Sequence, residues 1–313
     1  MEEGKKRLAT LVGCNYPGTP NELHGCINDV LTMRSVLVKR FGFNPNDITT
    51  LTDSEDSKVK PTGENIREAL NEMVSKAEEG DVLFFHYSGH GTLIPASMLG
   101  HKHGYYEAIV PTDYNLMTDL DFRWLVNQLP TGTSFTFLSD SCHSGGLIDK
   151  EKEQIGPHHL PPSRSAPVRD SQQRFMPIQA ILNHLAAASG LNSQEITYHL
   201  HQLFGDKAFF RFESKESSSA LKPASPDVGI LLSGCQSNET SADAFPDGDI
   251  SKAFGAFSMT VKRVLASHAG PISNRELVIQ TRGLLNEEAY AQHPCLYCSD
   301  QNADAPFLCQ PLT

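Results

Sequence analysis

Short apolar runs alternate along this chain with longer stretches in which apolar residues recur at helical spacing. Arg7 to Gly13 is apolar and predicts a strand. Ile27, Val30, Leu31, Val36, Leu37 and Phe41 follow the helical period, and that helix should stop before Gly42. Asp47 to Thr52 predicts a second strand. Thr62 is a candidate N-cap for a helix through Ile66, Leu70 and Val74 to Gly80. Asp81 to His86 predicts a third strand. Residues 93–117 read as a loop holding a strand-like run from Glu107 to Asp113. A short helix from Asp119 to Leu129 precedes a buried strand from Phe135 to Ser139. Strands alternating with helices predict an α/β domain with a mostly parallel sheet and helices on both faces.

The pattern breaks at Lys150. Glu151 to Arg174 is polar, carries Pro157, Pro161, Pro162 and Pro167, and has no period, which predicts an exposed, mobile segment. A helical pattern returns over 178–205, with Ile181, Leu182, Leu185, Ile196, Leu200 and Leu203. Ser214 to Pro226 is a second loose, serine-rich stretch. Val228 to Ser233 predicts a return to the sheet, Ala253 to Ser267 and Ser273 to Asn286 predict two helices, and the tail with Tyr297 and Phe307 predicts a last strand. No internal repeat is visible.

Composition narrows the function classes. With 39% hydrophobic residues over 313, the chain can bury a substantial core. No apolar run approaches the length of a membrane span, and the first residues lack the pattern of a signal peptide, so a cytoplasmic protein without membrane partners is expected. Seven cysteines, an odd number spread along the chain, argue against a disulfide framework. A net charge of −11 disfavours nucleic acid as a ligand and suits a basic one.

Two strand ends carry the candidate chemistry. The strand ending at His86 runs into Tyr87, Ser88, Gly89, His90, Gly91 and Thr92. The strand ending at Ser139 runs into Asp140, Ser141, Cys142, His143, Ser144, Gly145 and Gly146. Open α/β sheets place their chemistry at the carboxyl edge. A thiol there needs a base, and His90 is the candidate. Asp140 lies two residues before Cys142, so along a strand it points to the same side, where a carboxylate could receive a basic side chain.

These two motifs, in this order and spacing, resemble the signature pair of the metacaspases. The similarity extends over nearly the whole chain, from Leu11–Pro17 to Cys295–Asp300. The long insert after residue 150 and the lack of an N-terminal prodomain resemble the plant type II group, in its calcium-independent branch. The resemblance implies a caspase-like fold, with a central, mostly parallel six-stranded sheet. Residues 1–149 would form a large catalytic subunit, 150–226 a linker with an autoprocessing site, and 227–313 a small subunit completing the same domain. It implies a cysteine endopeptidase that cuts protein substrates after arginine or lysine and serves programmed cell death or stress proteolysis. It further implies a monomer whose cleaved chains stay associated. By the same matching Cys142 is the nucleophile and His90 the base. The backbone N–H groups of Gly91 and Cys142 bind the oxyanion, and Cys26, Asp29, Ser88 and Asp140 line the pocket for the basic side chain. No third residue orienting His90 can be assigned, and the fold implies a dyad.

Calcium is where the chain departs from its family. The acidic pattern that holds the ion maps onto Tyr106, Asp119, Leu120 and Asp149, two of which are not acidic. No metal or other cofactor is expected, the rival being a site rebuilt from Glu107, Asp113 and Asp121. Arg174 is the expected self-cleavage site, ahead of Arg164, Arg169 and Lys152, because it ends the loose segment and matches the position in calcium-independent relatives. For zinc, Cys295 and Cys298 would need a second ligand pair; Cys309 and His293 are available, but no such site is expected. The histidine pairs His101/His103 and His158/His159 fall in predicted loops and receive no role.

Overall fold

The computed structural model describes residues 5–99, 104–142, 147, 152–156, 171–208, 229–236 and 239–308. In chain order they form β1 (Arg7–Gly13), α1 (Cys26–Phe41), β2 (Ile48–Thr52), α2 (Gly63–Ser75), β3 (Val82–Ser88), β4 (Gly91–Pro95), β5 (Tyr105–Ile109), β6 (Met117–Thr118), α3 (Asp119–Val126) and β7 (Ser134–Asp140). There follow β8 (Glu153–Ile155), β9 (Ser171–Gln173), α4 (Ile178–Ser189), α5 (Ile196–Phe204), β10 (Gly229–Ser233), β11 (Ala242–Ala244), β12 (Phe254–Gly255), α6 (Ala256–Ser267), α7 (Asn274–Glu287), β13 (Cys295–Tyr297) and α8 (Asp300–Asp304).

The main sheet has the order β2-β1-β3-β7-β10-β13-β8. Its first five strands are parallel and the last two pairings are antiparallel. The sheet is thus seven-stranded, not six-stranded as expected. The added strand is β8, which comes from the segment expected to be loose. Ile155 explains it: this side chain is fully buried against Leu296 and the core behind it, so three residues of a polar stretch are held by one apolar anchor. Val82 to Ser88 is buried at every position, as a strand covered on both faces must be. One core packs α2, α3, α4 and α5 on one face through Ile66, Leu70, Phe122, Leu125, Ile181 and Leu200. The other packs α1, α6 and α7 through Val30, Met33, Phe257, Val261 and Leu277.

Helix ends follow local chemistry. The Thr62 hydroxyl accepts from Asn65 N–H, as the sequence predicts for α2. Gly42 takes a left-handed conformation (φ 68°) that closes α1. The strand-like run expected within the 93–117 loop overlaps β5, and β4 and β6, which were not expected, join it in a small antiparallel sheet. Its alternation is masked in sequence because Tyr105, Tyr106 and Glu107 interrupt the apolar run. In the tail the strand β13 is followed by α8, and Phe307 beyond it is a core residue.

Candidate active site

The strands β1, β2, β3, β7 and β10 all point the same way, so the residues after each converge on one sheet edge. Tyr16, Asp53, His90, Cys142 and Ser241 meet there. Both His90 and Cys142 are buried. The His90 Nε2 contacts the main-chain oxygen of Asn21 at 2.8 Å. A carbonyl can only accept, so Nε2 carries the proton and the neutral ring keeps its lone pair on Nδ1. Burial pushes the imidazole down to about 4, which holds it neutral. His90 Nδ1 is buried with no partner among the described residues. Cys142 Sγ accepts from Ser241 N–H at 3.0 Å. The orienting partner of His90 is therefore a backbone carbonyl, which no side-chain motif could reveal.

Tyr16 fixes the histidine from its other side. Its hydroxyl accepts from His90 N–H (3.0 Å) and donates to Val110 O (2.5 Å), and the two rings lie 4.9 Å apart. The turn that presents Tyr16 has a left-handed φ of 52°, a conformation unfavourable for a tyrosine. The Asp53 carboxylate holds it there by accepting from Asn15 N–H (3.0 Å) and Tyr16 N–H (2.7 Å). Tyr16→Phe keeps the ring and removes the hydroxyl. It is expected to lower kcat by roughly tenfold to a hundredfold while KM stays within about threefold. Steady-state kinetics check this, and an unchanged kcat refutes it.

Arg174 lies within this site. Its carbonyl oxygen accepts from Gly91 N–H at 3.0 Å and from Cys142 N–H at 3.3 Å, and its own N–H donates to Ser241 O at 2.9 Å. The upstream residues form β9, antiparallel to β11. Downstream, Phe175 forms a parallel bridge with Gly91, and Met176 N–H donates to Gly91 O at 3.1 Å. The expectation that Arg174 ends an exposed loop is therefore wrong: the side chain is fully buried. A polar stretch looks solvated in sequence because its partners lie far away along the chain. Arg164 and Arg169 lie outside the described residues, as do His101, His103, His158, His159 and Asp149, and Lys152 pairs instead with Asp300.

The guanidinium reaches a closed pocket of carboxylates. Nη2 contacts Asp29 Oδ2 and Asp243 Oδ1, each at 2.8 Å. Nη1 donates to Ser88 Oγ (2.7 Å) and to the Asp140 carbonyl (3.1 Å), with Asp140 Oδ1 at 3.4 Å. The Ser88 hydroxyl in turn donates to Asp29 Oδ2 at 2.7 Å. Asp140 is held by Ser241 Oγ (2.6 Å) and Ser258 N–H (2.8 Å). Burial pushes Asp29 up to about 7, with the guanidinium pulling against it. Cys26 is buried beside these groups, its thiol pushed up by burial against the same cation. The wall is Gly255: a Cβ there would stand 2.2 Å from Asp140 Oδ2 and 2.5 Å from Arg174 Nη1.

All four pocket residues expected from sequence thus surround one guanidinium. Asp243, Ser241 and Gly255 were not foreseen. Asp243 sits on the short strand β11 and bonds across to His24 N–H and Gly25 N–H, contacts without a sequence signal. Cys295 is buried and donates to His293 O, and no group of three or more potential metal ligands is found among the described residues. Chemically, the site offers a thiol, a neutral base and two amides on one carbonyl oxygen, beside a pocket that takes a cation.

The comparisons agree with this geometry. The caspase domain family matches residues 6–306. Metacaspase-9 of Arabidopsis thaliana is 53% identical, the match covering 98% of both chains. Metacaspase-6 of the same plant is 38% identical over 97% of this chain and 100% of its own. Metacaspase-1 of Schizosaccharomyces pombe is 32% identical over 94% of this chain and 67% of its own. Protein GSU0716 from Geobacter sulfurreducens superposes with a TM-score of 0.61 at 19% identity, covering 97% of this chain and 99% of its own, which speaks to the fold alone. No helix among the described residues is long and apolar enough to cross a membrane. With a buried cysteine and histidine at one sheet edge and the family matched along almost its whole length, the chain belongs to the metacaspases, cysteine peptidases of the caspase fold.

Proposed function

We propose that this metacaspase cuts peptide bonds after arginine, less readily after lysine, and that its first substrate is its own Arg174–Phe175 bond. One observation carries the reading: Arg174 is seated as a substrate would be, with its carbonyl oxygen between two amides and its guanidinium among three carboxylates. Cys142 attacks that carbonyl. The N–H groups of Gly91 and Cys142 take the negative charge that develops on oxygen. His90 accepts the thiol proton and gives it to the leaving amine through Nδ1. Arginine is preferred because two separate nitrogens of the fork are bound, Nη1 by Ser88 and Asp140 and Nη2 by Asp29 and Asp243, whereas lysine offers one. An aspartate would be repelled by the same carboxylates.

Residues 1–149 and 227–313 then act as the two parts of one catalytic domain, and the uncut linker fills the cleft of a zymogen. Calcium is not required on this reading. Asp113 Oδ1 is taken by Gly63 N–H and Asn115 N–H, and Asp121 by Thr118 at the start of α3. Two of the carboxylates that could rebuild a site are thus committed to donors within the fold, which leaves too few for six to eight oxygen ligands. Burial, then the charge of Glu107, pushes Asp119 up to about 7.

Mass spectrometry of wild-type and Cys142→Ala protein purified in chelator tests the reading. Wild-type should split after Arg174 and the variant should stay whole. Splitting only after calcium is added would overturn calcium independence. No splitting, with no cleavage of an arginine peptide, would favour a caspase-fold scaffold without catalysis.

A further inference from the structure

Both sides of the Arg174–Phe175 bond are held by contacts that do not pass through it. Upstream are the pairing of β9 with β11 and the buried guanidinium. Downstream, Met176 donates to Gly91 O, and its side chain is fully buried in the same core as Ile181 and Leu185 of α4. Further along, His184 of α4 stacks on Tyr114 at 4.0 Å, and Lys207 O accepts from Asn115 Nδ2 at 2.8 Å. A substrate bound through its acyl side alone loses its leaving amine once the bond breaks. Here the leaving amine, Phe175 N, belongs to a segment docked independently on the catalytic core.

We infer that the self-cleavage is reversible, and that the enzyme acts as a peptide ligase on its own nick. This rests on Arg174 being the self-cleavage site. In the forward step the Cys142 thiolate forms a C–S bond to the Arg174 carbonyl carbon, the C–N bond breaks, and His90 delivers a proton to Phe175 N. Two acceptors then compete for the thioester. Water gives the Arg174 carboxylate. The retained Phe175 amine re-forms the C–N bond, breaks the C–S bond and returns its proton to His90. From the carboxylate, Cys142 re-forms the thioester with loss of water, and the amine then attacks. No step changes an oxidation state or needs a co-reactant. A well-oriented neighbouring group acts at an effective concentration of roughly 10⁵–10⁸ M, which lets the amine compete with water. The nick therefore does not open the cleft by itself. The committing event is departure of the three-residue strand β9, after which the Arg174 carboxylate no longer returns.

Incubation of the full-length wild-type protein in ¹⁸O-water tests this. Intact and nicked chains are separated, and the peptide spanning Arg174–Phe175 is recovered with a protease that cuts only after glutamate. The intact fraction should level off above zero, and the intact chain should gain ¹⁸O at the Arg174 carbonyl. That label enters only if the bond breaks, water adds and the bond is remade. Cys142→Ala should gain none. Met176→Asp, which places a charge in the downstream pocket, should nick with about tenfold less label in the remaining intact chain, and Met176→Leu should restore it. Nicking of wild-type to completion, or an unlabelled intact chain beside accumulating nicked chain, overturns the inference alone. Absence of any nick at Arg174 overturns the reading beneath it as well.

Discussion

Asp243→Ala will lower kcat/KM for arginine peptides by about a hundredfold or more. Asp243 is fully buried and receives Nη2 of the guanidinium at 2.8 Å, sharing that nitrogen with Asp29. Removing one partner of a buried, hydrogen-bonded ion pair costs roughly 3–5 kcal/mol. Asp29 and Asp140 remain and recover part of this, which leaves about 3 kcal/mol, or two factors of ten in an equilibrium constant. Asp243 also accepts from His24 N–H and Gly25 N–H, just ahead of α1, the helix that carries Cys26 and Asp29. The loss should therefore appear mainly in KM, as weaker binding of the basic side chain, with the cysteine still reactive toward an alkylating probe. Arginine peptides should lose more than lysine peptides, because Asp243 serves the second nitrogen of a fork that lysine lacks. Kinetics on matched arginine and lysine peptides decide it. A change of less than about threefold, or an equal loss for both, would show that Asp243 has no part in recognition.

How much of this site could be read from the chain depends on the range of each contact. Cys142 and His90 were legible because strand, small polar residues and glycine follow one another locally at each of the two strand ends. Asp140 was legible from strand parity, two residues before Cys142. Asp29 and Cys26 came from resemblance, since a carboxylate in the first turn of a helix reads equally well as a solvated cap. The carboxylate pocket is completed by Asp243 and Gly255, 226 residues from Asp29 in the case of the Gly255 N–H bond to its carboxylate. No periodicity spans such a gap. The position of Arg174 was legible and its environment was not. Polar composition measures what a segment can bury against its own neighbours, and this arginine is buried against carboxylates from α1, β7 and β11. Strand β8 was missed for the same reason: Ile155 is one apolar residue in a polar run, and its partner Leu296 lies far downstream in the chain.

Arg174→Ala should be left uncut at the 174–175 bond, turn over arginine peptides without prior nicking, and become less stable as pH rises. The first two outcomes follow from the pocket. Alanine presents nothing to the carboxylates, so the bond is not recognised, and the uncut strand, held only by its backbone contacts and Met176, yields to a peptide that brings its own guanidinium. The third follows from the charge left behind. In the wild-type chain the guanidinium opposes the upward push of burial on Asp29, which still titrates at about 7. Without the cation that push is opposed only by the hydrogen bonds from Ser88 Oγ and Gly255 N–H. A carboxyl raised in the folded state binds its proton across a window where the unfolded chain, near its ordinary value of about 3.9, has already lost it. Stability is then greatest at the acidic end and is lost as pH climbs from about 4 through the folded-state value. An uncompensated buried charge costs roughly 3–5 kcal/mol, less here because water can enter the emptied pocket. The melting temperature of Arg174→Ala should fall several degrees below that of Cys142→Ala at pH 7.5, and the gap should narrow toward pH 5. Using Cys142→Ala as the reference keeps the comparison chain uncut. Cleavage of Arg174→Ala at the original bond would remove Arg174 as the recognition residue, and a gap independent of pH would mean that the three carboxylates are not held together once the guanidinium is gone.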